Sequence, residues 1–338
     1  MNLTAPLLLA VAAWALAHPA AAAERMLKVR EKGYVACGIY PVVRGFASVS
    51  IKEGARGMDV DLCRAVSAAI FGTPDKVKYI EARNVAQLRE GAGEIDIVAR
   101  RITWSLTRAT GNGLIFGPIT FYDGQGFMVP KGSGITSPKQ LDDKPVCVQA
   151  VEMHATTVEA YFHLSGLTPR AVRISTDTEA EQALKSGKCA AFSADVSWLG
   201  AARASMAGGA DAYDILPDLI SKEPLAPLVR QGDDEFFEIV RWSFFAQLIA
   251  EEYGITSQNI DAAFVREELE VQQFLGKVPG NGKALGLDER WAYNIIKTVG
   301  NYGEMFDRNV GAGSPIKLDR GLNKLWTEGG LMYAPRLR

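Results

Sequence analysis

An alternation of short strands and amphipathic helices runs through the first hundred residues, stops, and starts again. Apolar runs at 34–39, 77–80 and 95–99 read as strands. Between them come a helix from Gly57-Met-Asp-Val-Asp-Leu62 to Phe71 and a second over 84–90. Residues 121–129 are then extended, with Gly124 and Gly126, and read as a strand crossing to another lobe. Past that point the alternation resumes: strands at 145–149, 171–174 and 190–192 reaching Asp195, helices at 156–164, 178–186 and 196–206. A second crossing fits 215–230, which holds three prolines. Such alternation demands sheets covered by helices on both faces. Two βα halves joined by two crossings enclose a cleft that opens and closes about a hinge. The expected fold is therefore α/β and two-lobed. The first lobe spans 24–125 and takes back 223–338, with a helical C-terminal extension that includes 318–326, and the second lobe spans 126–222.

Ligands in such sheets bind near the carboxyl ends of strands. The stretch 94–116 offers one such place. Its strand is followed by a polar turn, a helix start with Thr103 or Ser105 as N-cap, and Arg108. Backbone amides at a helix start and a planar guanidinium both suit a carboxylate. A surface turn with a solvated arginine is the plain alternative. Asp195 stands at an equivalent strand end in the other half, so an arginine and an aspartate face each other as a zwitterion would require.

At 338 residues and formal charge −2, with Lys and Arg dispersed, nothing implies a nucleic-acid or anionic-membrane partner. The apolar stretch 5–17, followed by small residues at 20–23, has the outline of a secretory signal over 1–23. No basic residue precedes it, and it is short for a span, so cleavage and export to the periplasm are expected rather than an anchor. In that compartment Cys37, Cys63, Cys147 and Cys189 read as disulfides. Three pairings are open. Cys37–Cys63 with Cys147–Cys189 is favoured, because Cys37 lies on a strand and Cys63 on the apolar face of the next helix. No spacing forms a zinc pattern, and no cofactor is implied.

Several segments together are specific: Gly57-Met-Asp-Val-Asp-Leu62, Phe121-Tyr-Asp-Gly-Gln-Gly-Phe-Met-Val-Pro130, Val146-Cys-Val-Gln149, Ile220-Ser-Lys-Glu-Pro-Leu225, Val229-Arg-Gln-Gly-Asp-Asp234 and Gly300-Asn-Tyr-Gly-Glu304. From about Leu27 onward the chain resembles the periplasmic solute-binding proteins of polar amino-acid ABC transporters, nearest the general L-amino-acid-binding group. The resemblance implies a type II, Venus-flytrap fold and delivery of a captured solute to a permease. It implies that Arg108 grips an α-carboxylate with help from Thr103. It also implies that Asp195 receives the α-ammonium and that Phe46 covers the ligand side chain.

Other positions depart from that group. Ala99, Arg101 and Ile102 replace a serine, an asparagine and a threonine. Ala150-Val-Glu-Met-His154 replaces a loop of small residues with hydroxyls. Glu152 then brings a negative charge to where a ligand carboxylate would sit. Either it turns away, or Arg100 or Arg101 neutralises it, or the ligand is not a plain α-amino acid. The expected function is a monomeric extracytoplasmic receptor for a small polar, amino-acid-like solute, without catalysis. A paralogue with altered, non-amino-acid or cationic specificity is the first alternative. A periplasmic dehydratase using Glu152 and His154 as acid and base is the second, and a ligand-sensing subunit for a membrane receptor is the third.

Overall fold

The computed structural model describes residues 24–52, 54–83, 94–110, 113–150 and 152–337, but not the side chains of Glu24 and Glu152. The leader 1–23 and the helix expected over 84–90 lie outside the described residues.

Two five-stranded sheets form the cores of two lobes. In the first, the order is Val77–Glu81, Val35–Ile39, Ile97–Val98, Leu228–Arg230, Leu114–Phe116. Its first three strands are parallel, and Leu228–Arg230 runs against them. The second sheet has the same pattern: Arg170–Ile174, Pro145–Gln149, Ala191–Asp195, Gln125–Pro130, Tyr213–Ile215. Here Gln125–Pro130 is the antiparallel strand that arrives from the other lobe. Strand Val35–Ile39 is buried at every position, as a parallel strand covered on both faces must be.

The extended run at 121–129 is two strands rather than one, Phe121–Asp123 and Gln125–Pro130, parted at Gly124. Phe121–Asp123 pairs antiparallel with Glu223–Leu225, and this ribbon carries both crossings. Gly124 is required there, because a Cβ would stand 2.6 Å from the Ser221 carbonyl oxygen.

Helix Met58–Phe71 starts after Gly57, whose φ of 133° only glycine adopts freely; a Cβ there would meet the Phe46 carbonyl at 2.0 Å. The Cys37–Cys63 bond ties this helix to the first strand, and Cys147–Cys189 closes a loop in the second lobe. Helices Asp234–Glu252, Trp291–Thr298 and Tyr302–Asn309 pack around Met58–Phe71 and share its apolar core.

Two more expectations need correction. The helix expected over 156–164 is longer, Glu152–Leu164, because Glu152-Met-His-Ala contains no breaker and continues the turn directly. Residues 318–326 are not a helix but extended chain and two short 3-10 turns, Gly321–Asn323 and Trp326–Glu328. Asn323 there spends its side chain on the hinge, accepting from the Tyr122 amide at 2.7 Å and donating to its carbonyl at 3.0 Å.

Candidate functional site

The third strand of each lobe ends at the interlobe cleft. After Ile97–Val98 the chain turns through Ala99 and Arg100 to Arg101, which has a left-handed backbone at φ 54°. Residues 102–104 then run beside the hinge ribbon: Trp104 N donates to Pro224 O at 2.8 Å, and Ala226 N to Ile102 O at 3.0 Å. In the other lobe Ala191–Asp195 ends at Asp195, which immediately precedes helix Val196–Ser205.

Arg101 spans the cleft. Its Nη2 donates to Ser197 Oγ and stands 3.4 Å from Asp123 Oδ2 and 3.5 Å from Asp195 Oδ2. The guanidinium lies over the Phe46 ring, 5.0 Å from its centroid, within range of a cation–π attraction. Its Nε is buried without a hydrogen-bond partner among the described residues. On the far side of Asp195, Oδ1 meets His154 Nε2 at 3.2 Å. Helix Glu152–Leu164 holds this imidazole, and the Gln125 side-chain amide donates to the His154 carbonyl at 2.9 Å. His154 Nδ1 is also buried and unpartnered among the described residues.

The acids at the cleft floor differ sharply in character. Burial drives Asp195 upward, but the His154 hydrogen bond and the Arg101 charge outweigh it and hold the carboxyl below its ordinary range; the Arg108 charge acts in the same direction. Asp123 is pushed up to about 6 by burial and by the neighbouring Asp195 charge, against the pull of Arg101 and of the Ser197 hydrogen bond. Asp59, fully buried in the first turn of its helix, is pushed up to about 7 by burial despite Arg101.

The residues singled out from the sequence fall in unequal places. Arg101 and Asp195 meet. Phe46 is 2% exposed, packed edge-on against Phe121 at 5.2 Å and beneath Arg101. Thr103 turns its hydroxyl to the hinge and donates to Glu223 Oε2 at 2.6 Å. Arg108 is exposed on the one-turn helix Leu106–Ala109, with Nη1 donating to the Thr103 carbonyl at 3.1 Å. Ser105, not Thr103, caps that helix, accepting from the Arg108 amide. Glu152 opens its helix, with its side chain outside the described residues.

Sequence reasoning missed Asp123, Gln125, Ser197 and Glu223. Asp123 and Gln125 are polar residues flanking a glycine in an otherwise apolar crossing segment, and both are at most 4% exposed. That pattern was the available signal, since buried polar groups in a strand imply fixed partners.

No family model matches the chain. It is 42% identical over 327 residues to the general L-amino acid-binding periplasmic protein AapJ of Rhizobium johnstonii, covering 96% of each chain. It is 42% identical over 330 residues to the glutamate/glutamine/aspartate/asparagine-binding protein BztA of Rhodobacter capsulatus, covering 97% of each. Among solved structures, an ABC transporter/periplasmic binding protein from Brucella ovis with glutathione bound superposes with a TM-score of 0.80 at 41% identity. That match covers 93% of this chain and 99% of the other.

Proposed function

The chain belongs to the solute-binding proteins of amino-acid ABC transporters and has their two-lobe type II fold; from this premise we propose that its own solute is a small amino-acid derivative held in the cleft where Arg101 and Arg108 of one lobe face Asp195 of the other. The observation that carries this reading is the meeting of Arg101 and Asp195 from opposite lobes at the cleft floor. Charged groups that converge only when the lobes approach make a site whose affinity depends on closure, so a solute shifts the open–closed population. The closed form is what a membrane permease would read.

On this reading the mature chain works in the periplasm as a monomer, after removal of the leader 1–23. On the same reading it binds its solute without catalysis. The dehydratase alternative needs Glu152 and His154 as an acid–base pair, yet His154 Nε2 is taken by Asp195. The glutathione-bound relative favours one variant of the main reading, in which the solute is a short peptide rather than a single amino acid.

A thermal-shift and calorimetric screen of the refolded mature protein tests the reading. Its probes are L-amino acids, N-acyl amino acids, glutathione and prephenate. A bound solute at a hundred times its Kd stabilises by about 2.7 kcal/mol. The expected result is stabilisation by one carboxylate-bearing class, weakened at least tenfold in Arg108→Ala and Asp195→Ala. Consumption of prephenate, or a ligand whose affinity neither variant changes, overturns it.

A further inference from the structure

Asp195 and the Phe46 ring together make a good pocket for a cation, and the chain fills it with its own. The Arg101 guanidinium lies over the ring at 5.0 Å and beside the carboxylate at 3.5 Å, and it is anchored further by Ser197 Oγ and Asp123. The other oxygen of Asp195 is engaged by His154. A free ammonium arriving here would meet a carboxylate already paired and a guanidinium that repels it. What remains unsatisfied is different in kind. Among the described residues, Arg101 Nε is a buried donor without an acceptor, and His154 Nδ1 is a buried ring nitrogen without a partner. With Nε2–H given to Asp195, a neutral imidazole offers Nδ1 as an acceptor. One orphan donor and one orphan acceptor match an amide group, which supplies a carbonyl oxygen and an N–H. Leaving buried polar groups unpaired is costly, so a solute that pairs them is selected over one that does not.

We infer that Arg101 stands in for the solute's ammonium, so that this receptor selects amino-acid derivatives whose α-nitrogen is acylated over free amino acids. The inference rests on the cleft being the solute site, and it adds the charge class of the solute. Arg101 acts as the specificity determinant, and its left-handed φ of 54° is one that asparagine adopts more readily than other non-glycine residues. Arg101→Asn therefore vacates the pocket without disturbing the turn.

The test is isothermal titration of the refolded mature protein and of Arg101→Asn with two matched pairs: L-glutamate against N-acetyl-L-glutamate, and L-glutamine against N-acetyl-L-glutamine. The wild type is expected to bind the acetylated member of at least one pair tenfold or more tighter. Arg101→Asn is expected to reverse that order, while Arg101→Lys, which keeps a cation in place, retains the wild-type order. Preference of the wild type for the free amino acids overturns the inference and leaves the cleft as the solute site. An order unchanged by Arg101→Asn overturns it in the same way. Absence of binding by all four probes to both proteins overturns the inference and the reading of the cleft together. Should Arg101→Asn fail to fold, the order measured on the wild type decides alone.

Discussion

In the first lobe helices Met58–Phe71, Asp234–Glu252, Trp291–Thr298 and Tyr302–Asn309 build one large core against the sheet, while Ile95, Val98, Leu114, Phe116 and Leu228 form a much smaller cluster apart from it. In the second lobe the two faces of the sheet carry clusters of similar, modest size. Phe127, Val129, Val146 and Val148 face one side with Phe162, while Met128, Cys147 and Phe192 face the other with Leu199. That split is the period of two along each strand made visible. The strand order is shared, so the difference lies in what the chain adds around it. The thick lobe supplies Arg101 to the cleft, with the charge of Arg108 also acting on Asp195. The thin lobe supplies Asp195, Ser197 and His154. A heavy frame and a light flap of complementary charge suit a cleft in which the flap moves.

The largest effect expected from this contrast concerns the disulfides. Their sequence separations are 26 in the first lobe and 42 in the second. The chain-entropy model gives each about 4 kcal/mol, with little between them. Their loss should nevertheless differ, because only the first lobe has a large core to fall back on. Cys147→Ser with Cys189→Ser is expected to separate an early calorimetric transition from the main one. Cys37→Ser with Cys63→Ser is expected to lower a single transition. Identical thermograms for the two double variants would break the contrast.

Next in size is the hinge that joins frame to flap. Gly124→Ala drives a Cβ to 2.6 Å from the Ser221 carbonyl oxygen, a backbone atom that cannot turn aside. Relief requires the two crossings to part, at an expected cost of about 2–3 kcal/mol, within the range for overpacking. Solute affinity should fall at least tenfold by titration. Stability lost with affinity kept would show that the crossing at Gly124 can shift without altering closure.

The parts of the structure that repeat were legible in the sequence. The strand–helix period announces both sheets, and Gly124 with the prolines near 217–227 marks the crossings. The cleft chemistry was legible only where one residue decides it. Asp195 follows from a strand end, but its partner His154 does not. Ala150-Val151 offers no capping side chain, so the helix start at Glu152 is silent and the sequence reads His154 as part of a loop. Arg101 was visible as a substitution within a resemblance, and its reach to Asp195, Asp123 and Ser197 depends on a left-handed turn that no local pattern encodes. The segment 318–326 was misread for a related reason. Its fold is set by hydrogen bonds from Asn323 to Tyr122, 201 residues away in the chain.

Acid–base behaviour offers a third probe of the frame. Asp59 has a folded pKa of about 7, raised by burial above an ordinary value of 3.8. The folded state then binds more protons than the unfolded one, so stability falls as pH rises from about 4 to about 7 and is flat above. Asp123, raised to about 6, acts in the same direction over a narrower window. Asp195 is depressed, so its contribution is present above about pH 4 and lost only below it. The melting temperature is therefore expected to drop between pH 5 and pH 8. Asp59→Asn removes the buried charge and should raise stability at pH 8 by about 2 kcal/mol, with little change at pH 5. A variant equally stabilised at both values would locate the effect in packing rather than ionisation.

The smallest expected effect separates holding a side chain from holding the fold. Ser105 caps a helix of a single turn at the cleft rim, where Arg108 Nη1 bonds to the Thr103 carbonyl. Losing a cap on so short and exposed an element costs about 0.5 kcal/mol of stability, the low end for such caps. The same turn aims Arg108, however, so the direction of its guanidinium depends on a bond the fold hardly needs. Ser105→Ala should therefore leave the melting temperature within about a degree or two while weakening carboxylate-bearing solutes several-fold by titration. If affinity holds as well, Arg108 is positioned by its own contacts with the hinge-side backbone, and the rim of the frame is as rigid as its core.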